Sequence, residues 1–357
     1  MQSDYVASVD LDNLYEVCKC IMESVENYLN GFPAEAYNSF SKIMNGLESQ
    51  QLRIYQKTAF YPFDSNVQND PLKLYRVVLA EDGKRYSKER VFHTPYNLRS
   101  RVSTNRYSIA GYPSLYLGTS LELCCEEIDV YSYHDNALVS RFELNREFEN
   151  VNINIKVIEL GIKPQDFVDM SSVSNRVIPH QILNNNMMKS TYLMLYPLIA
   201  ASSFIRKNKV DPFAAEYIVP QLLMQWMRQQ MSDKNNLMGI RYFSCASDDA
   251  SDMGFNYVFP TSGEKISSNC QYCSVLSKAF RLTNPVHLKN YEDFKKCELD
   301  LNENYSIDFL DCVSWNQECH IVDEKHNEGD STIISESVKS SIDTDELLDF
   351  LAGKEKS

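Results

Sequence analysis

The stretch from Leu74 to Ile128 decides the fold more than any other part of the chain. It contains LYRVV (74–78), FHTP (92–95), NRYSIAGYPSLYLG (105–118) and SLELCCEEI (120–128). The β-branched run at 74–79 and the compact run at 114–117, behind a Gly-Tyr-Pro turn, are typical of strands. Ser120 is a natural N-cap, and an apolar helical stripe follows it at Leu121, Cys124, Cys125 and Ile128. The stretch therefore predicts two strands followed by a short helix.

The residues before this stretch have a helical pattern. Apolar side chains recur at helical spacing at Leu14, Val17, Ile21, Val25 and Tyr28, and Asn30-Gly31 supplies a C-terminal stop. Pro33 suits the first turn of a second helix, and its buried side would carry Ala36, Phe40, Ile43 and Leu47. The segment 60–70, with its proline, aspartates and asparagines, is typical of a linker. We therefore expect a helical N-terminal domain at 1–65.

After the stretch, strand-like and helical segments interleave irregularly. Strand patterns lie at 139–144, 151–157, 238–244 and 256–260, and a helical pattern covers 214–230, where Pro220 must begin or kink a segment. The apolar run 192–201 is too short to span a bilayer, and we expect a buried segment there. The pattern predicts an α+β domain at 66–290, a mixed β-sheet core with surrounding helices. An extension at 291–357 follows, and its acidic tail is expected to be disordered.

Charge and cysteine usage limit the classes of function. The net charge of −14 argues against general nucleic-acid binding, which requires a basic surface. Arginine is nevertheless concentrated between Arg76 and Arg106, which suits a phosphate-bearing ligand. The N-terminus lacks the blocks of a signal peptide, so the ten cysteines are expected to be free thiols in the cytoplasm. The lone CxxC at Cys270 and Cys273 has no second pair at suitable spacing, and no metal site is predicted.

The polar residues near the predicted strands suit one reaction, the cleavage of the nicotinamide–ribose bond of NAD. The transition state resembles an oxocarbenium ion, which a fixed carboxylate stabilises, and nicotinamide leaves as a neutral base. Arginine forks bind the pyrophosphate, an aromatic ring stacks on nicotinamide, and a serine hydroxyl bonds the ribose or the carboxamide. The residues of these types are Arg76, Arg106, Tyr116, Glu127 and Ser244.

The chain resembles the RES family, which is named for its arginine, glutamate and serine. The matching stretches lie in the family's order between about Leu72 and Pro285. They are Tyr75-Arg76, Arg106 to Gly118, Ser120 to Glu127, Glu216 to Gln221 and Gly239 to Ser244. The helical segment before them is similar to the HEPN-like domain of longer members. The resemblance implies a fold similar to ADP-ribosyltransferases and a toxin, or defence effector, that consumes NAD by hydrolysis or phosphorolysis.

Carried over position by position, the resemblance assigns Arg76, Glu127 and Ser244 to catalysis. Arg106, Tyr107 and Tyr116 are assigned to dinucleotide binding. Glu126 is adjacent to Glu127, and a slip of one residue stays open, although Glu127 shares the inward stripe with Cys124. NAD is expected as substrate, with no resident cofactor. The expected partners are inorganic phosphate, an antitoxin or regulatory protein, and a second copy of the chain. Binding to a membrane is not expected.

Three other functions stay open. Transfer of ADP-ribose to a macromolecule would use the same residues but would need a groove for the acceptor. A non-catalytic interaction protein could have kept the fold. HEPN-type ribonucleases use an arginine and a histidine a few residues apart on a helix, but the first sixty residues contain no histidine. The loose matches Arg176 to His180 and Arg281 to His287 each enclose a proline, so a nuclease is disfavoured.

Overall fold

The computed structural model describes residues 10–48, 53–55, 72–80, 86–130, 136–146, 148, 155–164, 186–208, 211–232, 237–247, 249–262 and 271–288. Several residues named above lie outside these ranges. They include the predicted linker at 60–70, Arg176, His180, Cys270 and the extension from 291 onward. Within the described ranges, no helix is both long and apolar enough to cross a membrane.

The described part of the chain is built on a mixed sheet of nine strands. They are β1 (Arg53–Tyr55), β2 (Leu74–Leu79), β3 (Ser114–Gly118), β4 (Ala137–Leu144), β5 (Lys156–Leu160), β6 (Leu237–Phe243), β7 (Phe255–Pro260), β8 (Phe280–Leu282) and β9 (Val286–His287). The strand order is β1-β5-β6-β7-β3-β2-β4-β8, with β9 also paired to β4. β5 and β6 run parallel, and the other neighbouring pairs are antiparallel. The predicted α+β class with a mixed sheet is confirmed.

Six α-helices accompany the sheet in the described ranges. They are α1 (Leu11–Leu29), α2 (Pro33–Glu48), α3 (Leu121–Glu127), α4 (Asn186–Ser202), α5 (Ile218–Ser232) and α6 (Ser274–Ala279). Short 3-10 helices cover Lys88–Val91, Tyr96–Arg101, Ala215–Tyr217 and Asp249–Asp252. The parallel crossover from β5 to β6 contains α4 and α5, as a parallel connection requires.

The local signals of the N-terminal helices are confirmed. The Asp10 side chain caps α1 by accepting from the backbone N–H of Asn13 at 3.1 Å, and Gly31 follows its end with φ +84°. The predicted inner face of α2 is buried at Ala36, Phe40, Ile43 and Leu47.

In α5, Pro220 lies in the first turn, where a missing N–H costs no intrahelical bond.

The two N-terminal helices share a core with the sheet. Their buried side chains form one apolar cluster with α4, α5 and residues of β5, β6 and β7, including Ile158, Ile240 and Val258. Trp226 of α5 donates its indole N–H to Asn45 Oδ1 of α2 at 3.0 Å. Strand β1, which also precedes residue 65, pairs with β5. The apolar stripes of α1 and α2 therefore pack on the same chain that carries the sheet.

The other face of the sheet carries a second core, with Leu115, Phe142, Tyr257, Phe259 and Phe280 among its members. Because β5 is buried on both faces, it extends beyond the strand that the alternating pattern predicts. A strand was predicted at 151–157, but the described strand runs from Lys156 to Leu160, and 151–154 lie outside the described residues. Its last four residues are all buried, so they do not alternate. The buried carboxylate of Glu159 is paired with Arg241 of β6.

Candidate active site

A cavity of about 380 Å³ opens on the sheet between β2, β3 and α3, beside the ends of β6 and β7. The segment between α4 and α5 forms a further wall. The polar and aromatic lining residues are Tyr75, Arg76, Asn105, Arg106, Tyr116, Glu127, Asp129, Arg206, Tyr217, Tyr242 and Asn256. Three arginines therefore face two carboxylates, which makes this cavity locally cationic in an acidic chain.

Close packing of α3 on β3 brings Glu127 to the cavity. Ser120 caps α3 by accepting from the backbone N–H of Leu123 at 3.1 Å, and its hydroxyl donates to the carbonyl of Met253 at 2.7 Å. At Gly118 of β3, a Cβ atom would lie 2.6 Å from the Sγ of Cys124. Only glycine admits this approach of the helix to the strand. The Cys124 thiol donates to the carbonyl of Tyr75 at 3.2 Å, which joins α3 to β2 as well.

Two buried donors hold the carboxylate of Glu127. The hydroxyl of Ser244 donates to Glu127 Oε1 at 2.6 Å, and the side-chain amide of Asn256 donates to the same oxygen. Ser244 is 1% exposed and Asn256 is 5% exposed, whereas Glu127 is an exposed residue that lines the cavity. The carboxylate is thus fixed from behind while it faces the cavity. Glu126, its neighbour on α3, does not line the cavity.

Arg76 lies in the same cavity, and few of its hydrogen-bond donors are paired with protein atoms. Its Nη1 donates to the carbonyl of Tyr116 at 3.4 Å, and its buried Nε has no hydrogen-bond partner among the described residues. Those residues supply it with no ion pair either. Burial lowers the pKa of Arg76 to about 10, with a smaller contribution from the charge of Arg90. The guanidinium is still a cation at neutral pH, with N–H groups available to a ligand.

Tyr116 and Tyr107 have different positions. The ring of Tyr116 lines the cavity, and its hydroxyl donates to the carbonyl of Tyr107 at 2.7 Å. Tyr107 is 1% exposed and lies behind the wall, with its ring centroid 4.6 Å from that of Tyr242. Tyr242 itself lines the cavity. Tyr107 therefore supports the aromatic wall that Tyr116 and Tyr242 present.

Arg106 is largely committed to the protein backbone. Its Nη1 donates to the carbonyl of Ser202 at 3.0 Å, and its Nη2 donates to the carbonyl of Phe204 at 2.8 Å. The guanidinium carbon lies 5.1 Å from the ring centroid of Tyr217, and that of Arg206 lies 5.4 Å from the same ring. Arg106 thus anchors the cavity wall that follows α4.

The structure brings most of the predicted site residues together. Arg76, Arg106, Tyr116 and Glu127 line one cavity, Ser244 bonds Glu127 from behind, and Tyr107 lies behind Tyr116. Sequence reasoning missed Asn256, Arg206, Tyr217 and Tyr242. For Asn256 a signal existed, because an amide inside a buried strand needs a hydrogen-bond partner. Arg206 lies in the irregular segment after α4, and Tyr217 ends the 3-10 helix before α5. Neither position has a comparable sequence signal for a place in the cavity.

The cysteines of the cavity are not poised as nucleophiles. Burial raises the pKa of Cys245 to about 11 and raises that of Cys124 well above its usual range. Both thiols therefore stay protonated near neutral pH, which leaves them unreactive. Cys273 of the CxxC caps α6, where its sulfur accepts from the backbone N–H of Leu276 at 3.5 Å. In the described ranges no group of three or more His, Cys, Asp or Glu could hold a metal ion.

Comparison with known proteins shows a similarity to a named toxin candidate. The chain is similar to a Bacillus subtilis (strain 168) protein named "Putative toxin YopC", with 29% identity over 284 residues. The aligned region is 77% of this chain and 59% of that relative, so the chain spans less than two thirds of the relative's length. No protein-family model matches the chain. No solved structure matches it either.

Proposed function

We propose that this protein is an NAD-consuming toxin of the RES type, with a fold like that of the ADP-ribosyltransferases. The observation that carries the proposal is the carboxylate of Glu127, fixed by Ser244 and Asn256 in the same cavity as the unpaired guanidinium of Arg76. A fixed carboxylate beside an aromatic wall and a cation suits a substrate that has an anionic phosphate and a sugar that becomes cationic. The name of the Bacillus subtilis relative supports the toxin part of the proposal.

In the proposed reaction, the bond between the ribose anomeric carbon and the nicotinamide nitrogen breaks, and its electron pair leaves with nicotinamide. The Glu127 carboxylate stabilises the oxocarbenium-like sugar and accepts a hydrogen bond from a ribose hydroxyl. Arg76 holds a phosphate or the carboxamide through its free N–H groups. An oxygen of water or phosphate then bonds to the anomeric carbon, and the proton of a water nucleophile passes to solvent.

The direct test is incubation of the purified protein with NAD, with and without phosphate, followed by identification of the products by mass. Hydrolysis yields nicotinamide and ADP-ribose, and phosphorolysis yields nicotinamide and a phosphorylated ADP-ribose. The Glu127→Gln protein serves as control for contaminating enzymes. Intact NAD under both conditions would contradict the proposal. Nicotinamide release that requires an added protein or nucleic acid, with ADP-ribose attached to it, would instead identify a transferase.

A further inference from the structure

Beyond the residues assigned to bond cleavage, the cavity has a second cationic region. It is formed by Arg106, Arg206 and Tyr217 and is named here the arginine–tyrosine wall. The two guanidinium carbons lie 5.1 Å and 5.4 Å from the centroid of the Tyr217 ring. All three residues line the cavity. Two cations close to one ring repel each other, so this region favours a negative ligand.

The two arginines of this wall differ in how many hydrogen-bond donors they retain for a ligand. Arg106 is 8% exposed, and its two terminal nitrogens donate to the carbonyls of Ser202 and Phe204. These carbonyls lie just before Arg206 in the chain, so Arg106 positions the segment that presents Arg206. An arginine has five N–H donors in a fixed fork, and two of the nitrogens of Arg106 are already committed.

Arg206 retains donors for a ligand. Its Nη2 donates to the carbonyl of Asp211, and its buried Nε has no hydrogen-bond partner in the described part of the chain. No carboxylate of those residues forms an ion pair with it. Glu216 interacts with the charges of both arginines without forming an ion pair with Arg206. Its carboxylate accepts from the backbone N–H of Lys207 at 3.2 Å, and backbone donors, followed by the charges of Arg106 and Arg206, lower the pKa of Glu216.

We propose that Arg206 is the direct ligand of the diphosphate of the substrate, with Tyr217 as its platform and Arg106 as the positioning residue. This inference rests on the proposed function and deepens it. An arginine fork bonds two phosphate oxygens at once, and the ring of Tyr217 holds the guanidinium in place. The wall therefore selects a substrate with a diphosphate over a nucleoside that has the same scissile bond and no phosphate. Arg76 and Glu127 act at the nicotinamide–ribose end.

The test compares NAD with nicotinamide riboside, which has the same scissile bond but has no phosphate. Removing a charged hydrogen-bond donor costs about 10- to 100-fold in binding, so Arg206→Gln should raise KM for NAD by that factor. The same variant should leave kcat/KM for nicotinamide riboside within about twofold of wild type. Arg206→Lys, which keeps the charge without the fork, should have an intermediate KM for NAD.

The matched control is Arg228→Gln. Arg228 also lies over a tyrosine ring, 5.1 Å from the centroid of Tyr112, and donates to the carbonyl of Ser262, but it does not line the cavity. This variant removes the same charge and the same kind of ring contact, and it should leave KM for NAD unchanged. Equal effects of the Arg206 and Arg228 variants would overturn the inference. Equal losses with both substrates in Arg206→Gln would overturn it as well.

A binding measurement separates this inference from the proposed reaction. In titration calorimetry with ADP-ribose, the wild-type protein should bind the ligand, and Arg206→Gln should weaken binding about 10- to 100-fold. If NAD is not cleaved but ADP-ribose binds in an Arg206-dependent way, the diphosphate site stands and the proposed reaction fails. If NAD is cleaved with unchanged KM in Arg206→Gln, the reaction stands and the diphosphate site fails.

Discussion

At the scale of single residues, the position of one carboxylate matters most. Glu127 receives two hydrogen bonds on the same oxygen, from a hydroxyl and an amide that are themselves almost fully buried. Neither donor is charged, so the negative charge of Glu127 is oriented without being neutralised by a cation. A group that is oriented before the substrate arrives needs no reorganisation in the transition state, which is how fixed dipoles and charges accelerate reactions.

The first prediction concerns Glu127. Glu127→Gln should lower kcat for nicotinamide release by about 10²–10³, because one preorganised electrostatic group typically contributes that much. NAD affinity should change little, since the phosphates are held elsewhere. The measurement is nicotinamide release together with NAD binding by calorimetry. Glu126→Gln is the control and should behave as wild type. If Glu126→Gln loses the activity and Glu127→Gln keeps it, the catalytic carboxylate is the neighbouring one.

The second prediction concerns Arg76, whose surroundings lower its pKa to about 10. A lysine has an ordinary pKa of about 10.4, so the same burial would bring its pKa toward neutrality. Arg76→Lys should therefore lose its charge as pH rises, and its kcat/KM relative to wild type should fall between about pH 6 and pH 9. The assay is nicotinamide release across that range. A ratio near one at every pH would show that the reaction does not depend on the charge of Arg76.

At the scale of secondary-structure elements, the site depends on how closely α3 packs on β3. The contact at Gly118 brings α3 against the strand, and Glu127 is the last residue of that helix. Asn256, which bonds Glu127, is the register partner of Gly118 on β7. The glycine, the helix and the amide therefore form one unit, so a small shift of α3 moves the carboxylate away from both of its donors.

The third prediction tests this unit. Gly118→Ala should reduce NAD turnover at least 10-fold, because its Cβ would lie 2.6 Å from Cys124 Sγ and displace α3. The double variant Gly118→Ala with Cys124→Ala removes the sulfur and should recover most of the activity. Cys124→Ala alone is the control for loss of the thiol. Absence of recovery in the folded double variant, judged by circular dichroism, would refute steric displacement as the cause.

Elements with local signals could be predicted from the sequence. The caps at Ser120, Asn30-Gly31 and Pro33 mark helix ends within a few residues, and the β-branched run of β2 is a local pattern as well. The pairing that builds the site is not local, since Ser244 is 117 positions from Glu127. The end of β5 extends three residues beyond the predicted end at 157, because a strand buried on both faces does not alternate. Arg206 lies in the irregular segment between α4 and α5, where the sequence has no periodic pattern.

At the scale of the whole molecule, the N-terminal helices and the sheet are joined by one core. Phe40 of α2 is completely buried in the cluster that also contains Trp226 and Ile240. The hydrogen bond from Trp226 to Asn45 crosses from α5 to α2. Removal of α1 and α2 would expose this apolar surface to water, so we expect both parts to unfold together.

The fourth prediction uses this shared core. Phe40→Ala should destabilise the protein by about 3–5 kcal/mol, the usual cost of removing a buried phenylalanine. The chain has two tryptophans, Trp226 and Trp315, so Trp315→Phe makes Trp226 the sole fluorescent reporter. In that background, urea unfolding should give the same midpoint by fluorescence and by circular dichroism, before and after the Phe40 change. Two separate transitions would show that the helices unfold independently of the sheet.

The long sequence separation between Glu127 and its two hydrogen-bond donors also has a consequence during synthesis. Arg76, Tyr116 and Glu127 leave the ribosome first, and Asn256 follows Glu127 by 129 positions. At roughly 5–20 residues per second, that interval lasts about 6 to 26 s. Until β7 has been made, β3 lacks one of its two neighbours in the sheet and the Glu127 carboxylate lacks the amide of Asn256, and before Ser244 has been made it lacks both donors. We therefore expect a growing chain to complete this site only after β7 has been made, and a chain truncated before β7 to lack it.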